Sequence, residues 1–171
     1  MVGIILEPFR GGDLPADDGL PACSEVQIDR FTGEMRMKRS DLLMDVGRSI
    51  NPGIDRGQIV GGFVQGMGWV TNEKLVYDEK GKLLSCSPTT YKIPSLGDVP
   101  EIINVDLLPN DGNVVSLRRS KAVGEPPLLL GLGVWAAVKN AISHVGTGPV
   151  QLALPATSEE ILMTLSRRAP R

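Results

Sequence analysis

Ser120-Lys121-Ala122-Val123-Gly124-Glu125-Pro126-Pro127, continued by Leu128-Leu129-Leu130-Gly131-Leu132-Gly133, is the stretch on which the fold turns. Each proline fixes its own φ and drives its predecessor out of the α region, so Glu125 cannot sit inside a helix. Proline is tolerated in a first helical turn, where its missing N–H loses no partner. Glu125 is thus predicted at a rigid mouth, just ahead of the positive end of a strongly apolar helix running from Leu128 to His144. Two roles suit a carboxylate there. It is a helix-start acid favoured by the dipole, or a general base held on a stiff loop beside apolar surroundings.

Outward from that loop the chain reads as α+β, with β-hairpins and short strands packed with two or three helices. Residues Met1 to Pro21 are rich in Gly, Pro and Asp and read as an irregular arm (1–21). From Cys23 to Asp29 apolar and polar residues alternate, Phe31-Thr32-Gly33 makes a turn, and Glu34 to Val46 returns, so a hairpin is predicted. Asn51-Pro52 signals a helix start, and 55–72 has helical spacing with Ile59, Phe63 and Met67 in one stripe. Gln58, Gly61, Gly62 and Gln65 fall on another face of it. Six glycines lie between Gly53 and Gly68, each costing a helix about 1 kcal/mol against alanine. Tight packing against another helix would explain them. So would a helix laid against a cofactor, with Gln58 and Gln65 as amide hydrogen-bonding groups.

A second hairpin is expected at 75–84, then an extended, proline-containing loop to Pro100. Strands are predicted at Ile102 to Leu108 and at Val114 to Leu117, and an extended piece at Val150 to Leu154. A last helix opens at Thr157-Ser158-Glu159-Glu160 with a capping box, ahead of a short tail (166–171).

Composition narrows the function classes. Charged residues are 22% and hydrophobic ones 42%, ordinary for a folded domain. A net charge of -2 without a basic run points away from nucleic acid. No apolar stretch suggests a membrane span, and the start lacks a signal-peptide pattern, so a cytoplasmic protein is expected. Cys23 and Cys86 cannot make a four-ligand metal or iron–sulfur site alone. The single histidine, His144, suits a helix C-terminus better than a catalytic triad.

Several longer motifs then occur in one order. They are Cys23-Ser24-Glu25-Val26, Met44-Asp45-Val46-Gly47-Arg48-Ser49-Ile50-Asn51-Pro52, Gly57-Gln58-Ile59-Val60-Gly61-Gly62-Phe63-Val64-Gln65-Gly66, Thr89-Thr90-Tyr91-Lys92-Ile93-Pro94, the Glu125 loop and Leu154-Pro155-Ala156-Thr157. From about Ala22 to Leu165 the chain closely resembles the C-terminal end of the molybdopterin-binding part of xanthine dehydrogenases, in the molybdenum hydroxylase family.

The resemblance implies that Glu125 is the catalytic base, that Gln58 lies against a molybdenum–molybdopterin cofactor, and that Gly124 is close to the metal. Gln65 joins them only through its shared helix face. It implies hydroxylation of an electron-poor purine carbon, hypoxanthine or xanthine to urate, with electrons leaving through iron–sulfur clusters and FAD to NAD in partner domains. The family's molybdenum part is several times longer, and its purine-orienting residues lie upstream of the matched region. The chain is therefore expected to need the remainder of the molybdenum subunit and an iron–sulfur/FAD subunit. A non-catalytic fragment or subunit-interaction module, and an aldehyde oxidase-type hydroxylase, are the alternatives.

Overall fold

The computed structural model describes residues 2–5 and 22–168. Its fold is α+β. Four strands, β1 (Val2–Ile5), β2 (Ala22–Ile28), β3 (Met35–Met44) and β4 (Ile102–Leu107), form one sheet in the order β1-β2-β3-β4. Three helices pack with it: α1 (Pro52–Thr71), α2 (Leu132–Ser143) and α3 (Ser158–Arg168). The predicted first hairpin is β2–β3, antiparallel from Ala22↔Leu42 to Ile28↔Met35 with a bulge between Glu25 and Val26. Its turn is held by the Asp29 carboxylate, which accepts from the Phe31 N–H at 2.7 Å. Gly33 has φ +73, and a side chain there would collide with the Ser158 carbonyl.

β4 runs parallel to β3, Arg39↔Ile102 through Met44↔Leu107. A parallel neighbour needs a crossover, and α1 with the segment after it supplies one. Val26, Ile28, Leu42 and Met44 of the sheet, Ile59, Phe63 and Met67 of α1, and Val134, Ala137, Val138 and Ile142 of α2 form one core cluster. The stripe predicted on α1 is thus the buried one, with Phe63 fully enclosed. α1 begins where Asn51-Pro52 indicated, and the Asn51 side chain accepts from Gly53 and Ile54 N–H groups at 3.1 and 3.3 Å.

The structure departs from the sequence reading in several places. Val2–Ile5, expected in an irregular arm, adds an antiparallel edge strand to β2, whose unpaired backbone groups offer a ladder. The rest of that arm lies outside the described residues. Val114 to Leu117 is no strand. Without a neighbouring ladder it stays irregular and enters a 3₁₀ turn, Leu117–Arg119, in which Arg118 and Arg119 have φ 57 and 62.

The 75–84 hairpin survives as a single bridge, Tyr77↔Leu83. The long apolar helix is broken: Pro126–Gly131 is a 3₁₀ helix, and α2 starts only at Leu132. Two adjacent prolines remove donors from that first stretch, and Gly131 comes so near α1 that a Cβ would collide with the Gly66 backbone. The capping box of α3 is half made. Thr157 Oγ1 accepts from the Glu160 N–H at 3.3 Å, but the Glu160 carboxylate turns to the Ala153 N–H at 3.1 Å. The helix also continues beyond Leu165, and Arg168 is tied to the Val145, Gly146, Gly148 and Pro149 carbonyls instead of lying in a tail.

Candidate active site

Glu125 is the N-cap of the Pro126–Gly131 3₁₀ helix, with no side-chain capping bond. Contrary to the sequence expectation, its backbone is α-like (φ -88, ψ -39) and is not driven out of that region by the proline that follows. Its carbonyl accepts from the Leu128 N–H at 3.0 Å, so the carboxylate is left over from the helix start. The apolar surroundings expected around it are only half present. Val123 is half-buried, but Leu129 is 50% exposed and Glu125 itself faces solvent, because nothing in the described chain packs over it.

α1 passes beneath this loop and divides its glycines by task. Gly62 and Gly66 are buried under the loop: a Cβ on Gly62 would lie 2.9 Å from the Pro127 Cβ and 3.5 Å from the Gly124 carbonyl oxygen. Gly66 would collide with the Leu128 carbonyl. Gly57 and Gly61 have nothing within 4 Å of such a Cβ. Packing therefore explains one pair and leaves the other bare. Gln58 and Gln65 share the exposed side with Gly57 and Gly61, whereas Gly62 has turned into the seam. Gln58 reaches the loop: its Oε1 is 4.0 Å from where a Gly124 Cβ would stand. The structure thus brings Gln58, Gly124 and the Glu125 backbone together, and sets Gln65 two turns further along the same open side.

The upstream end of the loop is fixed by groups whose partnership the sequence did not reveal. Asp45 is 5% exposed. Its carboxylate accepts from the Gly47 N–H at 2.7 Å, from Asn110 Nδ2 at 2.7 Å and from Lys121 Nζ at 3.0 Å. Burial pushes the Asp45 carboxyl up, but these hydrogen bonds outweigh it and hold it below its ordinary value. Backbone bonds run alongside, Lys121 N–H to Val46 C=O at 2.8 Å and Arg48 N–H to Arg119 C=O at 2.9 Å. Asp45 and Lys121 both stand in quoted motifs, yet 76 residues separate them and no local pattern pairs them.

The remaining candidates fall away from this place. Cys23 is half-buried in β2, where burial and then the Asp41 charge raise its thiol, and Cys86 is exposed. His144 caps the end of α2, as expected. Among the described residues no cluster of three or more His, Cys, Asp or Glu could hold a metal ion. Two surface concavities, of about 450 and 840 Å³, are lined around Arg48 and Arg119 and around Cys86 and Tyr91, and Glu125 and Gln58 line neither. No helix of the described residues is long and apolar enough to cross a membrane.

Comparison with known proteins bears on the family and the fold. Residues 20–100 match the family described as molybdopterin cofactor-binding domain. The chain is 48% identical over 145 residues to the xanthine dehydrogenase of Dictyostelium discoideum, covering 82% of this chain and 11% of that protein. It is 43% identical over 152 residues to aldehyde oxidase 1 of Cavia porcellus, covering 86% of this chain and 11% of that protein. The crystal structure of quinoline 2-oxidoreductase from Pseudomonas putida 86 superposes with a TM-score of 0.78 at 30% identity, over 88% of this chain and 19% of that one.

The fold is therefore that of a molybdopterin-binding part, and the chain belongs to the molybdenum hydroxylase family. Within that family it is similar to the C-terminal part of the xanthine dehydrogenases, of whose length it spans 11%.

Proposed function

We propose that this chain supplies the catalytic base and part of the cofactor wall of a molybdenum-dependent hydroxylase acting on purines, converting hypoxanthine and xanthine to urate. The observation that carries the reading is the convergence of Gln58 and Gly124 at the root of the Glu125 loop, beside a helix face kept free of side chains at Gly57 and Gly61.

That face fits a broad, flat cofactor. Bare helix backbone admits close approach. The Gln58 and Gln65 amides make no hydrogen bond among the described residues and so remain available to a ligand's polar edge. When bound, the molybdenum–molybdopterin group supplies the redox chemistry, taking up the electron pair that leaves the substrate carbon. In the overall change a ring C–H becomes C–OH, water provides the oxygen, and two protons and two electrons depart.

Glu125 does the acid–base part. A carboxylate oxygen of its side chain takes the proton from the attacking oxygen as the new C–O bond forms. Its rigid proline-bounded backbone limits how far that oxygen wanders between turnovers. Gln58 orients the cofactor edge, and Gly124 keeps the approach clear of a side chain. Gln65 is the weaker contact, further along the face.

In this reading the chain works in the cytoplasm with the remainder of a molybdenum subunit and an iron–sulfur/FAD subunit, where NAD also binds. These partners would close over the exposed Glu125 and exclude water. The 43% identity to an aldehyde oxidase supports a second reading, an aldehyde-directed hydroxylase with the same base. The two separate on the assembled enzyme's kcat/KM for xanthine against an aromatic aldehyde. In that enzyme Glu125→Gln is expected to lower kcat by about 10²- to 10⁴-fold with molybdenum content unchanged. Turnover at the wild-type rate would remove Glu125 as the base.

A further inference from the structure

We propose that Asp45 and Lys121 form a buried charge clamp that positions Glu125, with Lys121 as a positioning residue. The proposal rests on the reading of Glu125 as the base. Burial separates this pair from the other ion pairs among the described residues. Asp45 and Lys121 side chains are 2% and 19% exposed. In Arg39–Asp41 the values are 49% and 35%, in Lys92–Asp98 61% and 27%, and in Arg56–Asp106 45% and 81%. Such exposed pairs contribute little. A buried pair is not efficient as stabilisation either, since an apolar pair of the same volume often serves as well. What it provides is directional: one carboxylate that must be met by one ammonium at one place.

The surrounding backbone makes that place definite. Gly47 turns the chain with φ +62, and a Cβ on it would collide with the Arg119 carbonyl, so the 45–48 turn and the 119–121 segment sit in direct contact. Gly47 bridges Ser120, and Lys121 is held at its main chain by Val46 as well as at its ammonium by Asp45. Beyond Lys121 the chain is sparsely held. Among the described residues Ala122, Val123 and Gly124 make no backbone hydrogen bond, and the next is the Glu125 carbonyl with Leu128. The position of Glu125 therefore depends on the anchors at the two ends of a short unsupported span. Asp45–Lys121 is the upstream one.

The test uses the assembled, molybdenum-loaded enzyme and compares Lys121→Met, Lys121→Arg and Asp45→Asn with Glu125→Gln. Four quantities are read: kcat, KM, molybdenum content and amide hydrogen exchange over 121–126. Lys121→Met is expected to lower kcat about 10- to 100-fold, the effect of a base displaced by about an ångström, with KM and molybdenum content unchanged. Exchange at 122–125 should quicken about tenfold while α1 keeps its protection. Lys121→Arg should restore most of the rate, which a merely space-filling role would not require.

Wild-type kcat per molybdenum and wild-type exchange in Lys121→Met would overturn the clamp. If Lys121→Met does not assemble, Asp45→Asn, which keeps the size but removes the charge and turns one of the two acceptor oxygens into a donor, should show the same changes. Their absence overturns the proposal equally. Normal turnover in Glu125→Gln would instead remove the base, and the exchange data would still decide the clamp on their own.

Discussion

The two ends of the Glu125 loop are fixed by opposite physics. Upstream, Lys121 is held by a buried carboxylate 3.0 Å away and by hydrogen bonds to the 45–48 turn. Downstream, Gly131 lies against Gly66 of α1 so closely that neither can carry a side chain, and the contact is close-packed, backbone against backbone. A charge pair gives direction but depends on protonation. A glycine-to-glycine contact is indifferent to pH but tolerates no added volume. A loop proposed to carry a base beside a large ligand has reason to use both, because neither anchor then occupies the open face.

This contrast is open to direct attack. The largest stability change is expected from Lys121→Met, which leaves the Asp45 carboxylate buried without its cation and should cost about 3–5 kcal/mol in denaturant unfolding. A loss well under 1 kcal/mol would show that the upstream end is held by its backbone bonds alone. Next comes Gly131→Ala, whose methyl group meets the Gly66 backbone. It should cost about 1–3 kcal/mol, and by the same amount at pH 5 and pH 8.

Acidification separates the two ends. The folded-state carboxyl of Asp45 is held below its ordinary value by the bonds from Asn110, Gly47 and Lys121 against the push of burial. Its contribution is therefore fully present above the unfolded carboxyl value of about 4 and is lost as pH falls through the depressed folded value. In a pH series of unfolding midpoints, Asp45→Asn should flatten the acid limb below about pH 4, whereas Gly131→Ala should keep the wild-type slope. Parallel slopes in both variants would erase the distinction.

The smallest effect sharpens the contrast within α1 itself. Gly61→Ala adds a methyl group to open space and should stabilise the helix by up to about 1 kcal/mol. The same change should reduce the molybdenum retained by the assembled protein. A stabilised chain with normal molybdenum content would mean the bare face has no ligand to admit.

Much of this was legible along the chain. Asn51-Pro52 fixed the start of α1, since an amide side chain caps N–H groups only two or three residues away. The period of Ile59, Phe63 and Met67 identified the buried stripe, and the two prolines marked a helix start with Glu125 at its N-cap, although the Glu125 backbone stays α-like. The misses share a cause. Val114 to Leu117 has strand-like composition, but among the described residues it pairs with no strand of the sheet. Val2–Ile5 is the reverse, an unremarkable segment that the free edge of β2 recruits.

The sequence by itself determined where α1 and α3 begin and which stripe of α1 is buried, because capping and periodicity act within a few residues. Which glycines of α1 are sealed and which stand open was decided only when the 124–131 segment packed across the helix. The pairing of Asp45 with Lys121 was decided in the same way. Close contact and charge compensation are properties of distances through space, and residues far apart in the chain acquire such distances only in the folded structure.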